Sequence, residues 1–303
     1  MAATYDFSMT RDGLIKSALR VLGFIKPGTE PPTVIVTDVA EALNMMMKTW
    51  QVEGIGLWLN KTATLYLAYN TASFTLGPSG THASETVVET TLSADAEEAA
   101  TMVTLTSVTG VASTYYIGIE LDDGTRQWTT VSGAPSGYVV TLAAELTGAA
   151  TSGNTVYVYQ TKIQRPILIS NAMLRDASGN DRPLNIISRQ EYLALSDKDS
   201  IGTPVSIYYD PQVTNGVLYV WPTNDDVDKR IVFNYRKPMA DFDAATDVPD
   251  LPVEWMEAIK YNLAMRIAPE YMDDVAEDRM KYIVDLAART KNTASTATRT
   301  ALS

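Results

Sequence analysis

The chain has 303 residues, 46% of them hydrophobic and 20% charged, long enough for one large domain or two smaller ones with buried cores. A formal net charge of −12 at pH 7 has the wrong sign for gripping phosphate groups, so tight nucleic-acid binding is not expected. Cysteine is absent, which excludes disulfides, thiolate zinc sites and cysteine nucleophiles and leaves packing and association to stabilise the fold.

The first residues, MAATYDFSMTRDGLIKSALRVLG, hold no basic segment followed by a continuous apolar run. No later stretch reaches the roughly 18 apolar residues that span a bilayer, so neither a classical secretion signal nor a membrane partner is expected. Leu14, Ile15, Ala18, Leu19 and Leu22 recur at helical spacing after Thr10 and Asp12, and Gly23 is placed to end this first helix. KPGTEPPT (26–33) reads as a connection. Thr37 or Asp38 is then positioned to cap a second helix with Val39, Leu43, Met46, Met47 and Trp50 on one stripe and Met45 off it, stopped by Gly54 and Gly56. A stripe at this spacing predicts core, with a subunit interface at its edges.

From Thr62 the period changes to two. TATLYLAYN alternates polar and apolar residues, and the Thr-, Ser- and Gly-rich region that follows predicts short strands at 101–108, 113–121, 126–131, 137–142 and 154–161. Their turns are DDG, SGAPSG and TSGN, at the spacing of a small antiparallel sandwich or barrel, so residues 71–160 are expected to form an inserted all-β module. A second β region has two strands within 165–189 around the turn DASGND, a helix at RQEYLALSD, and strands at 204–210, 216–222 and 229–237.

The chain then returns to helical periodicity. Trp255, Ile259, Leu263 and Ile267 stand at successive fours, with Pro269 expected to close the helix. A last helix is predicted from about Asp273 to Arg289, carrying Val275, Met280, Ile283, Val284 and Leu286, and TKNTASTATRTALS beyond it is expected to be a flexible tail. The fold class is therefore α+β: a helical bundle from the N- and C-terminal helices, an antiparallel β region, the inserted module and the tail. In domains, 1–70 with 161–290 form the core, 71–160 the insertion and 291–303 the C-terminal extension.

Motifs for chemistry are sparse. The one histidine, His82, sits in LGPSGTHASE and reads as an ordinary histidine of a mobile loop. There is no G-x-x-x-x-G-K-S/T phosphate loop, since GFIKPG lacks both the strand before it and the residues after it. DASGND (176–181) and TNDDVD (223–228) lack the distal bidentate Glu of a calcium loop and read as hairpin turns. No catalytic residue, cofactor or metal site is assigned, and the protein is not expected to be an enzyme. The alternative readings are a cell-wall or polysaccharide hydrolase built on paired carboxylates, or a carbohydrate-binding tail component that stacks sugars on Tyr115, Tyr116, Trp128 and Tyr138.

Together, IKSALRVLGFIKPGTEPP, DVAEALNMMMKTWQVEGIGLW, SRQEYLALSDKDSIGTPVSIYYDPQ, NGVLYVWPTND and NYRKPMADFDAATDVPDLPVEWMEAIKYNLAMRIAPEY resemble the head-to-tail adaptor proteins of tailed phages. The nearest group is the tail accessory factor, or packaged-DNA stabilisation protein, of short-tailed phages. The resemblance runs in order along somewhat over half of the chain and leaves out residues 71–160. It implies a structural virion protein of the head-tail junction, assembled in the host bacterial cytoplasm. Copies of the chain would form a twelvefold ring under the portal protein, extend the DNA channel and retain the packaged genome. Double-stranded DNA would pass without tight binding, and a tail nozzle or fibre protein would attach below. In that family the C-terminal segment reaches the portal, which maps here onto Thr290, Lys291, Arg299, Thr300, Leu302 and Ser303. Ring assembly would place Leu43, Met46, Met47, Trp50, Trp58, Trp255, Ile259 and Leu263 in the subunit core and at its interfaces.

Overall fold

The computed structural model describes residues 7–55, 59–271 and 277–300, the side chains of residues 277 and 297–300 excepted. It is mixed α+β and divides into two compact units, Met1–Leu59 with Met239–Ser303, and Asn60–Pro238. The composition changes at residues 71 and 160 both fall inside the second unit. The α-helices are α1 (Arg11–Leu22), α2 (Thr33–Val52), α3 (Arg189–Ala194), α4 (Met256–Tyr271) and α5 (Glu277–Thr300).

All of these except α3 lie in the first unit. The Thr10 hydroxyl accepts from the Gly13 N–H, and Gly23 adopts φ 81°, the left-handed conformation that closes α1. A side chain on Gly23 would also collide with the guanidinium of Arg279, which donates to the Val21 carbonyl at 3.0 Å. The α2 helix starts four residues before the expected Thr37, because Pro32 presets the entry angle and Ile35 and Val36 pack on the core. That burial overrides the weak helix propensity of the β-branched run TVIV.

Pro269 lies inside α4 instead of ending it. Tyr271 secures the last turn: its ring meets Phe24 edge-on at 5.6 Å and its hydroxyl donates to Asp38 at 3.4 Å. The larger correction concerns α5, which continues past Arg289 to Thr300, so the expected flexible tail is helical as far as it is described. Ile283, Ala287 and Ala294 fall on one face and are buried, and the small alanines let α5 lie close to its neighbours. The expected start at Asp273, with Val275, lies outside the described residues. Leu14, Leu19, Leu43, Met47, Trp255, Ile259, Leu263 and Ile267 join Ile283 and Ala294 in one core.

The second unit opens with β1 (Asn60–Tyr66), β2 (Ser73–Leu76), β3 (Ala83–Ser84) and β4 (Val88–Thr91). There follow β5 (Met102–Thr104), β6 (Tyr116–Glu120), β7 (Arg126–Thr130), β8 (Val139–Thr141) and β9 (Thr155–Tyr159). Then come β10 (Leu168–Arg175), β11 (Asp181–Pro183), β12 (Asn185–Ile186) and, beyond α3, β13 (Ile201–Gly202) and β14 (Ser206–Asp210). The last are β15 (Gly216–Trp221), β16 (Thr223–Asn224) and β17 (Arg230–Arg236).

These strands build sheets of order β11-β10-β17-β1-β3, β12-β14-β15-β2 and β4-β9-β6-β7, with pairs β5-β8 and β13-β16. Pairing is antiparallel except for β12 with β14 and β13 with β16. The first exception follows from α3, whose crossover returns the chain to the same edge, and Ser188 and Glu191 fix its start with a reciprocal capping box. Two aliphatic cores result. One holds Leu65, Phe74, Ile207, Leu218, Ile231 and Phe233, and the other Leu105, Ile117, Ile119, Val140, Val156 and Val158.

Candidate functional site

The C-terminal segment is built from α5 upward. Thr290 turns its hydroxyl back onto the Leu286 carbonyl at 2.7 Å, which satisfies it within the helix. Lys291 leaves the helix toward α2, where its Nζ pairs with Glu53 Oε2 at 2.6 Å and lies 5.1 Å from the Trp50 ring centroid. Ala294 is buried one turn later. Arg299 and Thr300 belong to the helix backbone, while Leu302 and Ser303 lie outside the described residues. Register between α4 and α5 is set by a buried polar group: Asn262 Nδ2 donates to Ala258 O in its own helix and to Ala287 O across it, both at 2.9 Å.

Leu43, Met46, Met47 and Trp50 are all buried on α2, and Met45 is exposed. Trp50 meets Trp255 edge to face at 5.6 Å, the preferred geometry of two ring quadrupoles, and Ile259 and Leu263 continue the same core. Trp58 lies outside the described residues.

In the β unit, the side chains singled out for sugar stacking go different ways. Tyr138 is exposed, whereas Tyr116 and Trp128 turn into an aromatic cluster with Tyr66, Tyr157 and Tyr159. His82 belongs to this cluster: it lies in the loop before β3, as expected, but its ring packs among aromatic groups and is half-buried. Its ring stacks on Trp128 at 4.1 Å and 6°, and Nδ1 shares a hydrogen bond of 2.5 Å with the Tyr159 hydroxyl. Burial, with the Lys162 charge nearby, lowers the His82 pKa to about 3, so the ring is neutral at physiological pH. Burial likewise pushes the phenols of Tyr66 and Tyr159 up. Gly118 makes room for this arrangement, since a Cβ there would come within 2.7 Å of the Trp128 ring.

Two arginines close the cluster. Arg126 is the only Lys or Arg between Lys61 and Lys162, and it is spent inside the protein: it donates to Asp228 at 2.9 Å, Thr155 at 2.8 Å and the Val227 carbonyl at 2.5 Å. Arg230 donates to the Tyr157 hydroxyl at 2.6 Å and pairs with Glu89 at 2.9 Å, and both guanidinium groups lie against the Tyr157 ring. This is a cross-linked polar joint with its aromatic groups facing one another, a geometry suited to rigidity. Sequence reading missed it; the aromatic-rich strands were its only signal.

The turns with acidic residues are internally satisfied. Asp176 accepts from the Asn180 backbone and side chain, and Asp225 accepts from Lys229 at 2.6 Å, which holds its carboxyl below the usual range. No helix among the described residues is long and apolar enough to cross a membrane.

A family model for SU10 adaptor proteins matches residues 140–301, more than half of the chain. The chain belongs to the SU10 adaptor protein family. This SU10 adaptor is thereby a phage adaptor-type protein, a structural component of the virion. The match takes in β8 to β17 and both C-terminal helices, so the segment carrying Thr290 and Lys291 is part of what defines the family. No curated protein matches the chain.

Proposed function

We propose that this SU10 adaptor is the head-to-tail connector that assembles as a twelvefold ring of its own copies under the portal protein. The ring extends the DNA channel, retains the packaged genome and presents a platform for a tail nozzle or fibre protein. The observation that carries this reading is the family match over residues 140–301, which spans the C-terminal helix and the sheets it follows. Ring interfaces draw on the helical unit, where Val34, Met45 and Val52 leave apolar surface outside the α2 core stripe. Thr290, Lys291, Arg299, Thr300, Leu302 and Ser303 form the portal-binding element. Residues 71–160, a module inserted in the adaptor core, reach other tail components, and an acidic balance lets double-stranded DNA pass without adhering.

Electron microscopy with mass measurement of the protein alone and mixed with its portal protein tests the proposal. Coaxial rings under the portal are expected. A monomer with no affinity for portal would overturn it.

A further inference from the structure

The C-terminal segment is positively charged within an acidic molecule. From Leu286 to Ser303 the chain carries Arg289, Lys291 and Arg299 and no acidic side chain, within a protein of net charge −12. Lys291 stands at least nine residues before the end of α5, too far for the helix dipole to account for it.

The segment is also a poor helix by composition. KNTASTATRT, residues 291–300, is dominated by Thr, Ser and Asn, residues that lose side-chain freedom in a helix or compete for its backbone hydrogen bonds. A polar stretch this short is not helical alone in water. Its helicity therefore rests on anchorage, to which the Lys291–Glu53 ion pair, the Lys291 ammonium over Trp50 and the burial of Ala294 contribute. Asn292, Thr293 and Thr296 face solvent. Glu53 is half exposed, at the C-cap of α2, so another carboxylate can compete for the Lys291 charge.

We infer that Lys291 is a latch with two alternative carboxylate partners. In the free subunit, Glu53 and Trp50 at the C-terminal end of α2 hold the C-terminal segment as a helix. On assembly, an acidic surface on the receiving protein takes Lys291 from Glu53, and Arg299 adds to the same electrostatic fit, whereas Arg289 already pairs with Asp285 at 3.1 Å. The latch keeps the Lys291 charge from engaging acidic surfaces before the correct one is met. This inference rests on the proposal that residues 290–303 bind portal, and it goes beyond it in naming the partner's charge and the restraint on the free subunit.

Two single variants of the full chain separate the outcomes, with hydrogen exchange followed in the free protein and binding to purified portal protein followed at several salt concentrations. Glu53→Gln is expected to raise exchange of the 291–300 amides about tenfold, with 256–268 unchanged, and to speed association with portal. Lys291→Met keeps the aliphatic stem, so it is expected to raise exchange equally but to weaken portal binding about tenfold, with a shallower salt dependence. Unchanged exchange in Glu53→Gln, or portal binding weakened by it as much as by Lys291→Met, would overturn the latch. Deleting residues 290–303 tests the parent reading separately: full portal binding without them removes the portal assignment, while the exchange result still reports on the restraint in the free subunit.

Discussion

The two units of this adaptor are held together by different means. The helical unit has an almost uniformly apolar core in which Asn262 is the one buried polar side chain among the described residues. The β unit has two aliphatic cores, and between the strands that carry them lies a joint of five aromatic side chains, one histidine and two arginines. An apolar core is non-directional and tolerates some repacking, whereas a polar joint demands that each partner be present. The helical unit should therefore respond to lost volume, and the β unit to lost partners and to pH.

The largest expected effect tests the first half of that contrast. Trp50→Ala removes a buried ring together with its contact to Trp255, and should destabilise the helical unit by about 3 to 5 kcal/mol, read by denaturant melts of the full chain. A loss below 1 kcal/mol would mean that the α2 stripe is not core. In the β unit, Arg126→Met preserves volume but leaves the Val227 carbonyl without its donor and Asp228 with only the Thr155 hydroxyl at 3.2 Å. The expected loss is about 3 kcal/mol in the same assay, and a neutral result would show that the joint is only packing.

Next in size is a pH effect. The folded chain holds His82 neutral down to about pH 3, whereas the unfolded chain protonates it near 6.5. Stability from this group is complete above pH 6.5 and drains away as the pH falls toward 3, by about 2 kcal/mol after allowance for solvent screening. His82→Phe can keep the stack on Trp128 but cannot titrate, so its stability should vary less between pH 6.5 and 4 than that of the parent. Parallel pH profiles for the two proteins would contradict the assignment. The smallest effect is expected for Asn262→Leu, within about 1 kcal/mol, since both carbonyls it serves lie within helices. Its consequence would be in the register of α5, visible as altered exchange around Ala287.

How much was legible in the sequence follows the same division. Thr10 and Gly23 bound α1 as their chemistry requires, and the spacing of Leu43, Met46, Met47 and Trp50 places them on one buried face. The strands from β5 to β9 also fall within the alternating segments. The extension of α5 past Arg289 was not legible, because KNTASTATRT carries no apolar period and Lys291 meets Glu53 and Trp50, far away in the chain. His82 was misread for the same reason: nothing near it in sequence announces Trp128 or Tyr159.

The sequence by itself determined the apolar faces of α1, α2 and α4, the strands β5 to β9 and the absence of thiol chemistry, since each depends on residue type and local spacing, and it carried an ordered resemblance to phage adaptors. Only the tertiary structure decided that the C-terminal helix continues past Arg289, what neutralises Lys291, and that the single histidine is half-buried against aromatic rings. Those outcomes depend on desolvation and partner geometry between residues tens to hundreds of positions apart, and no local pattern encodes them.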